Sequence, residues 1–149
     1  MAEHIEWQNA TVVPLPDAML RGAELLFGVT FPADYRECVR VNHGGHPEPR
    51  DFTVRGLTAS WGSCLAVLLS LDWRRPENVW SSLAHLAVDN QLEDGLFPFA
   101  EDGGGDFLCL DFRGGTHAPR VVYWSHEVGG EGGVVPVAGS FTEMLSLLE

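Results

Sequence analysis

A chain of 149 residues with a formal net charge of −12 suits one domain, large enough to bury about 70% of its unfolded surface in a single core. All nine basic residues are arginines, and the lack of lysine excludes a P-loop, the kinase strand lysine, Schiff-base chemistry and serine–lysine hydrolysis. The charge also opposes nucleic acid and anionic membrane surfaces, whose binding draws on Lys and Arg, and it favours a basic protein partner.

In chain order, the opening MAEHIEWQNA lacks the basic-then-apolar layout of a secretory signal, and no apolar run approaches the ~20 residues that span a bilayer. A cytoplasmic protein is expected. Asp17 to Phe27 reads as a helix with Met19, Leu20, Ala23, Leu26 and Phe27 at helical spacing, stopped by Gly28. A second helix follows Thr30 and Phe31, with Pro32 in its first turn, and ends within Asn42 to Gly45. His46 to Asp51 reads as a loop. Short strands are expected at Phe52 to Leu57 and Cys64 to Leu71. Pro76 opens a third helix whose apolar stripe is Val79, Leu83, Leu86 and Ala87.

Leu96 to Phe112, LFPFAEDGGGDFLCLDF, is the most informative stretch. Gly103, Gly104 and Gly105 permit a tight reversal, and the return strand from Phe107 to Phe112 is apolar on both faces, as a central strand should be. The glycine turn lies between strands and opens no helix, and Asp102 and Asp106 would repel a phosphate. Its plain reading is a hairpin turn with solvated carboxylates. Arg120 to Trp124 is another strand, Gly129 to Gly133 a loop, and Val134 to Ala138 a strand that Pro136 places near an edge. That edge could pair with a second copy, so a monomer or weak dimer is expected. Ser140 and Glu143 have the spacing of a capping box, and Phe141, Met144, Leu145 and Leu148 form the apolar face of a closing helix.

Positive signs of catalysis are few. Cys38, Cys64 and Cys109 have no metal-ligand spacing and sit in apolar segments, so they read as reduced core thiols. His43, His46, His117 and His126 read as solvent-exposed turn residues, and His-Gly-Gly-His is not a known ligand pattern. Ser60-Trp61-Gly62-Ser63 lacks the layout of a nucleophile elbow. No enzyme, cofactor or metal is expected.

Several segments taken together resemble a known family. They are Gly28-Val29-Thr30-Phe31-Pro32-Ala33-Asp34-Tyr35-Arg36, Asn42-His43-Gly44-Gly45, Leu96-Phe97-Pro98-Phe99 with the turn from Asp102 to Asp106, Leu110-Asp111, Val122-Tyr123-Trp124 with His126-Glu127, and Ser140-Phe141. Their order and spacing, over roughly Asp17 to Leu148, resemble the SUKH superfamily, which includes the yeast Smi/Knr cell-wall synthesis regulators. Phe31 stands where that family favours leucine, His43 is inserted in the Asn-Gly pair, and His46 to Asn90 matches weakly. The resemblance implies a single α+β domain over the 149 residues, with a mainly antiparallel sheet of about five to six strands flanked by helices, and no catalysis. It also implies an immunity protein that binds and neutralises a polymorphic toxin, often a nuclease or deaminase. The alternative is a regulatory scaffold module with several weaker partners.

A basic toxin cleft would meet acidic groups. The candidate partner-binding residues are Glu93, Asp94, Glu101, Asp102 and Asp106 about the hairpin, then Glu127 and Glu131 on the glycine-rich loop. Trp61 and Trp73, in less regular segments, are candidate hot spots. Each also has a plain reading, as a solvated carboxylate or a core tryptophan.

Overall fold

The computed structural model describes residues 4–11, 13–89, 92–127 and 133–149. In chain order the elements are β1 (Glu6–Gln8), α1 (Asp17–Phe27), α2 (Ala33–Asn42), β2 (His46–Glu48), β3 (Asp51–Arg55), β4 (Ser60–Cys64) and β5 (Val67–Leu68). There follow α3 (Val79–Asp89), β6 (Leu96–Glu101), β7 (Phe107–Asp111), β8 (Arg120–Trp124), β9 (Val134–Ala138) and α4 (Phe141–Ser146). The fold is α+β. Strands β5 to β9 form one antiparallel sheet in sequence order, and two small hairpin-like sheets, β1–β2 and β3–β4, stand beside it.

The doubly apolar β7 is the middle strand of the five, and all of its residues are buried. Antiparallel pairing sets Phe97, Leu110 and Val121 on one face and Pro98, Cys109 and Val122 on the other. On the first face, Tyr35 of α2 meets Phe97, Phe99 and Phe141 at ring-centroid distances of 5.9, 6.0 and 5.4 Å. Phe27 and Phe31 complete this aromatic cluster against Phe97. Edge-to-face pairs of this kind add to the burial term through the ring quadrupoles. Helix α1 ends where Gly28 takes the left-handed conformation (φ 68°) and its N–H closes on the Glu24 carbonyl at 2.8 Å. Helix α4 is capped by Ser140, whose Oγ accepts the Glu143 N–H at 3.1 Å, and it buries Phe141, Met144 and Leu145.

The region from His46 to Leu71 departs from expectation. The segment expected as a loop contains β2, paired to β1 through Trp7 and Pro47. The expected strand from Cys64 to Leu71 is interrupted: Cys64 ends β4, and only Val67–Leu68 pair in the main sheet. The other apolar residues there, Leu65, Leu69 and Leu71, are buried outside the strands, with single backbone bonds from Leu65 to the Arg50 carbonyl and from Leu69 to the Phe99 carbonyl, both at 2.9 Å. The strand expected from Phe52 begins one residue earlier and stops at Arg55, leaving Leu57 fully exposed at the hairpin tip. Pro32 occupies the cap position of α2, one residue before the helix proper. Helix α3 begins at Val79, not Pro76, because Asn78 Oδ1 accepts the Ser81 N–H at 2.8 Å and supplies its cap. Val79 and Leu86 of the expected stripe are buried, while the Ala87 side chain lies outside what is described.

Candidate partner-binding surface

The β6–β7 turn is built around two carboxylates. Asp102 Oδ1 accepts the backbone N–H groups of Gly104 and Asp106 at 2.7 and 3.0 Å, which closes the glycine reversal on itself. Its Oδ2 accepts from the Tyr123 hydroxyl at 2.9 Å and from Ser63 Oγ at 3.3 Å. Asp106 Oδ1 accepts from the His126 backbone N–H at 2.9 Å and stands 2.6 Å from its Nδ1, and its Oδ2 shares the single Tyr123 hydroxyl proton with Asp102 Oδ2. Gly103 and Gly105 take φ values of 87° and 100°, and a Cβ at Gly105 would lie 3.2 Å from the His126 ring.

Burial, and then the two carboxylates on its hydroxyl, push the Tyr123 phenol far above its ordinary range. The hydrogen bond to Asp106 holds His126 above the usual imidazole value. Asp102 and Asp106 are therefore not the solvated turn carboxylates that the sequence suggests. Their oxygens are spent on β4, β8 and the turn itself, because buried donors from those strands need acceptors.

The remaining candidates separate by environment. Glu93 pairs with Arg113 at 2.8 Å. Glu101 is half-buried and accepts from Ser82 Oγ at 3.4 Å, and that burial raises its carboxyl above its ordinary value. Asp94 and Glu127 are exposed, with no ion pair among the described residues. Glu131 and most of the expected loop from Gly129 to Gly133 lie outside the described residues.

Trp61 is 39% exposed, and its ring meets Tyr123 edge-on at 5.9 Å. Next to it opens a cleft of about 550 Å³ between the β3–β4 hairpin and the β6–β7 turn. Asp51, Asp102 and Glu149 contribute to its lining together with Thr53, Ser63 and Tyr123, and no arginine or histidine does. The structure thus brings one of the two tryptophans and the acidic turn onto one face. Trp73 is elsewhere, 70% exposed on the loop between β5 and α3. Sequence reasoning missed Tyr123 and Ser63 as parts of this face. The Tyr123-Trp124-x-His126 sequence after a glycine turn was a signal for the first.

The histidine expectation needs correction. His43 is 2% exposed, with Nδ1 at 2.8 Å from Ser70 Oγ and Nε2 at 2.9 Å from the Val13 carbonyl. His46 is half-buried and its Nδ1 donates to the Ala66 carbonyl at 2.7 Å. His117 is exposed, as expected. Among the described residues no group of three or more His, Cys, Asp or Glu side chains is arranged to hold a metal ion. The three cysteines carry no disulfide. Burial pushes the Cys38 thiol up to about 11 and raises Cys64 and Cys109, the opposite of what a nucleophilic thiolate needs. No described helix is long and apolar enough to cross a membrane.

An antiparallel meander with helices packed on it, ending in a helix capped by Ser140, defines an α+β class in which the glycine turn is structural. The profile of the SMI1 / KNR4 family (SUKH-1) matches residues 14–147, and the chain belongs to that family. Its members are generally immunity or regulatory proteins rather than enzymes. No curated protein matches the chain.

Proposed function

We propose that this chain is an immunity protein that neutralises a cognate polymorphic toxin by covering a basic surface of it, as in a nuclease or deaminase domain. The observation that carries this reading is the juxtaposition of half-exposed Trp61 with a cleft lined by Asp51, Asp102 and Glu149, near which Arg50 is 4.0 Å from Asp51 and outside the lining. A tryptophan of this kind, set in a rigid frame, is the usual anchor of a tight interface, and rim charge speeds encounter. The net charge of −12 acts in the same direction. Exposed Glu127, next to the His126 that holds Asp106, adds charge at the edge of this face, whereas Glu93 and Asp94 precede Leu96 at the opposite end of β6 from the glycine turn. Glu101, Asp102 and Asp106 set the shape of the surface on which Trp61 rests. The protein performs no chemistry of its own, works in the cytoplasm and needs no cofactor.

The test takes its partner from the genes flanking this one, searched for a secreted toxin domain. Co-expression should abolish its toxicity, and the purified pair should form a stoichiometric complex that weakens as salt rises. Toxicity unchanged by co-expression, with no complex at low salt, would reject the reading.

A further inference from the structure

Helix α1 turns two adjacent leucines to solvent: Leu25 is 83% exposed and Leu26 77%. The core takes the other side of the helix through Leu20 and Ala23, and Phe27 stacks on Trp80 at 5.9 Å. Beside Leu25 opens a groove of about 450 Å³, completed by Val29, Thr30 and Thr116. Gly22, one turn before Leu26, has open space where a Cβ would point, so a second backbone can come close there. The charges on the helix are met locally. Asp17 pairs with Arg21 at 2.7 Å and with Arg36 of α2 at 2.9 Å, and Arg36 pairs with Glu24 at 2.7 Å. Two arginines against two carboxylates leave this face neutral, so the net charge of −12 lies elsewhere on the chain. The outer edge of β9, where the sequence suggests a second copy, is flanked by Thr53 and Arg55 of β3 and by Leu147.

We infer that the outer face of α1 is a dimer contact, on which a second copy of this chain seats its own α1 across a two-fold axis. Such an axis brings a patch against itself, so the patch has to be self-complementary. Here leucine meets leucine and a closed ion-pair network meets its twin, with no unpaired carboxylate set against another. A basic partner finds no field to draw it to this face, because Asp17 and Glu24 are already held by arginines. Over the rest of the surface the −12 charge drives copies apart. Adjacent exposed leucines over a groove are a surface that monomers seldom leave open. The contact is small, so the dimer is weak and depends on concentration. The Thr30 N–H donates to the Thr116 carbonyl at 3.0 Å, which sets the groove beside the β7–β8 connection, at the far end of β7 from the glycine turn. Pairing through α1 therefore leaves the Trp61 face open in both copies, and the dimer stands or fails separately from the toxin reading.

The test is sedimentation velocity of the full chain from micromolar to millimolar concentration, at physiological and at raised salt. The sedimentation coefficient should rise with concentration from that of a 16.3 kDa monomer towards that of a dimer. Raised salt should strengthen the association, since it screens repulsion between two acidic bodies and leaves the apolar contact intact. The double variant L25E/L26E should weaken it by about tenfold or more at an unchanged melting temperature, because both side chains are exposed. L57E, at the exposed tip of the β3–β4 hairpin, should leave it unchanged. A chain that stays monomeric at every concentration, association that persists in L25E/L26E or weakens as much in L57E, or association lost at raised salt would overturn the proposal.

Discussion

Asp106 and His126 are joined twice, through the backbone N–H at 2.9 Å and the ring Nδ1 at 2.6 Å, both onto one carboxylate oxygen. This clamp holds the β6–β7 turn to the end of β8. Because Asp106 raises His126 above its unfolded value, the imidazolium contributes stability that is fully present below about pH 6.5 and is lost as pH rises through the higher folded value. Thermal melts should show stability falling as pH rises from about 6.5, and H126Q should flatten that slope. An identical slope in the variant would show that the clamp does not govern it.

Gly105 lies beneath the same imidazole at φ 100°. G105A places a Cβ in the left-handed region and within 3.2 Å of the ring, and should cost about 2 kcal/mol. Denaturant unfolding measures this. A loss below about 0.5 kcal/mol, the range of neutral surface changes, would mean that the turn relaxes freely.

Asp34 connects helices far apart in sequence: its Oδ2 accepts from both the N–H and the hydroxyl of Thr142, at 2.9 and 2.8 Å. D34A removes both bonds from Thr142 and the one that Oδ1 accepts from the Tyr35 N–H, and should lower stability by about 2 kcal/mol. The measurement is urea unfolding, and an unchanged midpoint would contradict it.

Tyr35 has the opposite character. Its hydroxyl is fully buried in the aromatic cluster and finds no hydrogen-bond partner among the described protein groups. Removing an unpaired polar atom relieves desolvation, so Y35F should match or exceed the native stability, by up to about 1 kcal/mol. A clear loss on calorimetry would reveal an essential partner for that hydroxyl.

These pairs also show how far the sequence could be read. Helix α1 was legible to its end residues, because an apolar stripe and a left-handed glycine are local signals. The hairpin, β8, β9 and the Ser140 cap were legible for the same reason. The β1–β2 pair was not, since its strands lie about forty residues apart and β2 contains a proline. Strand β4, SWGSC, carries little β propensity and forms because β3 provides its partner. The acidic turn was visible as residues and misread as environment. Asp102 and Asp106 turn inward because Ser63, Tyr123 and His126 arrive from other strands. His43 shows the same gap, since its partners are Val13 and Ser70.

The central claim is that the face around Trp61 binds the toxin, and calorimetric titration of W61A with the toxin domain tests it most directly. Loss of an anchor of about 2 kcal/mol should weaken affinity roughly thirtyfold while the melting temperature stays near native. An unchanged dissociation constant in W61A would contradict the account.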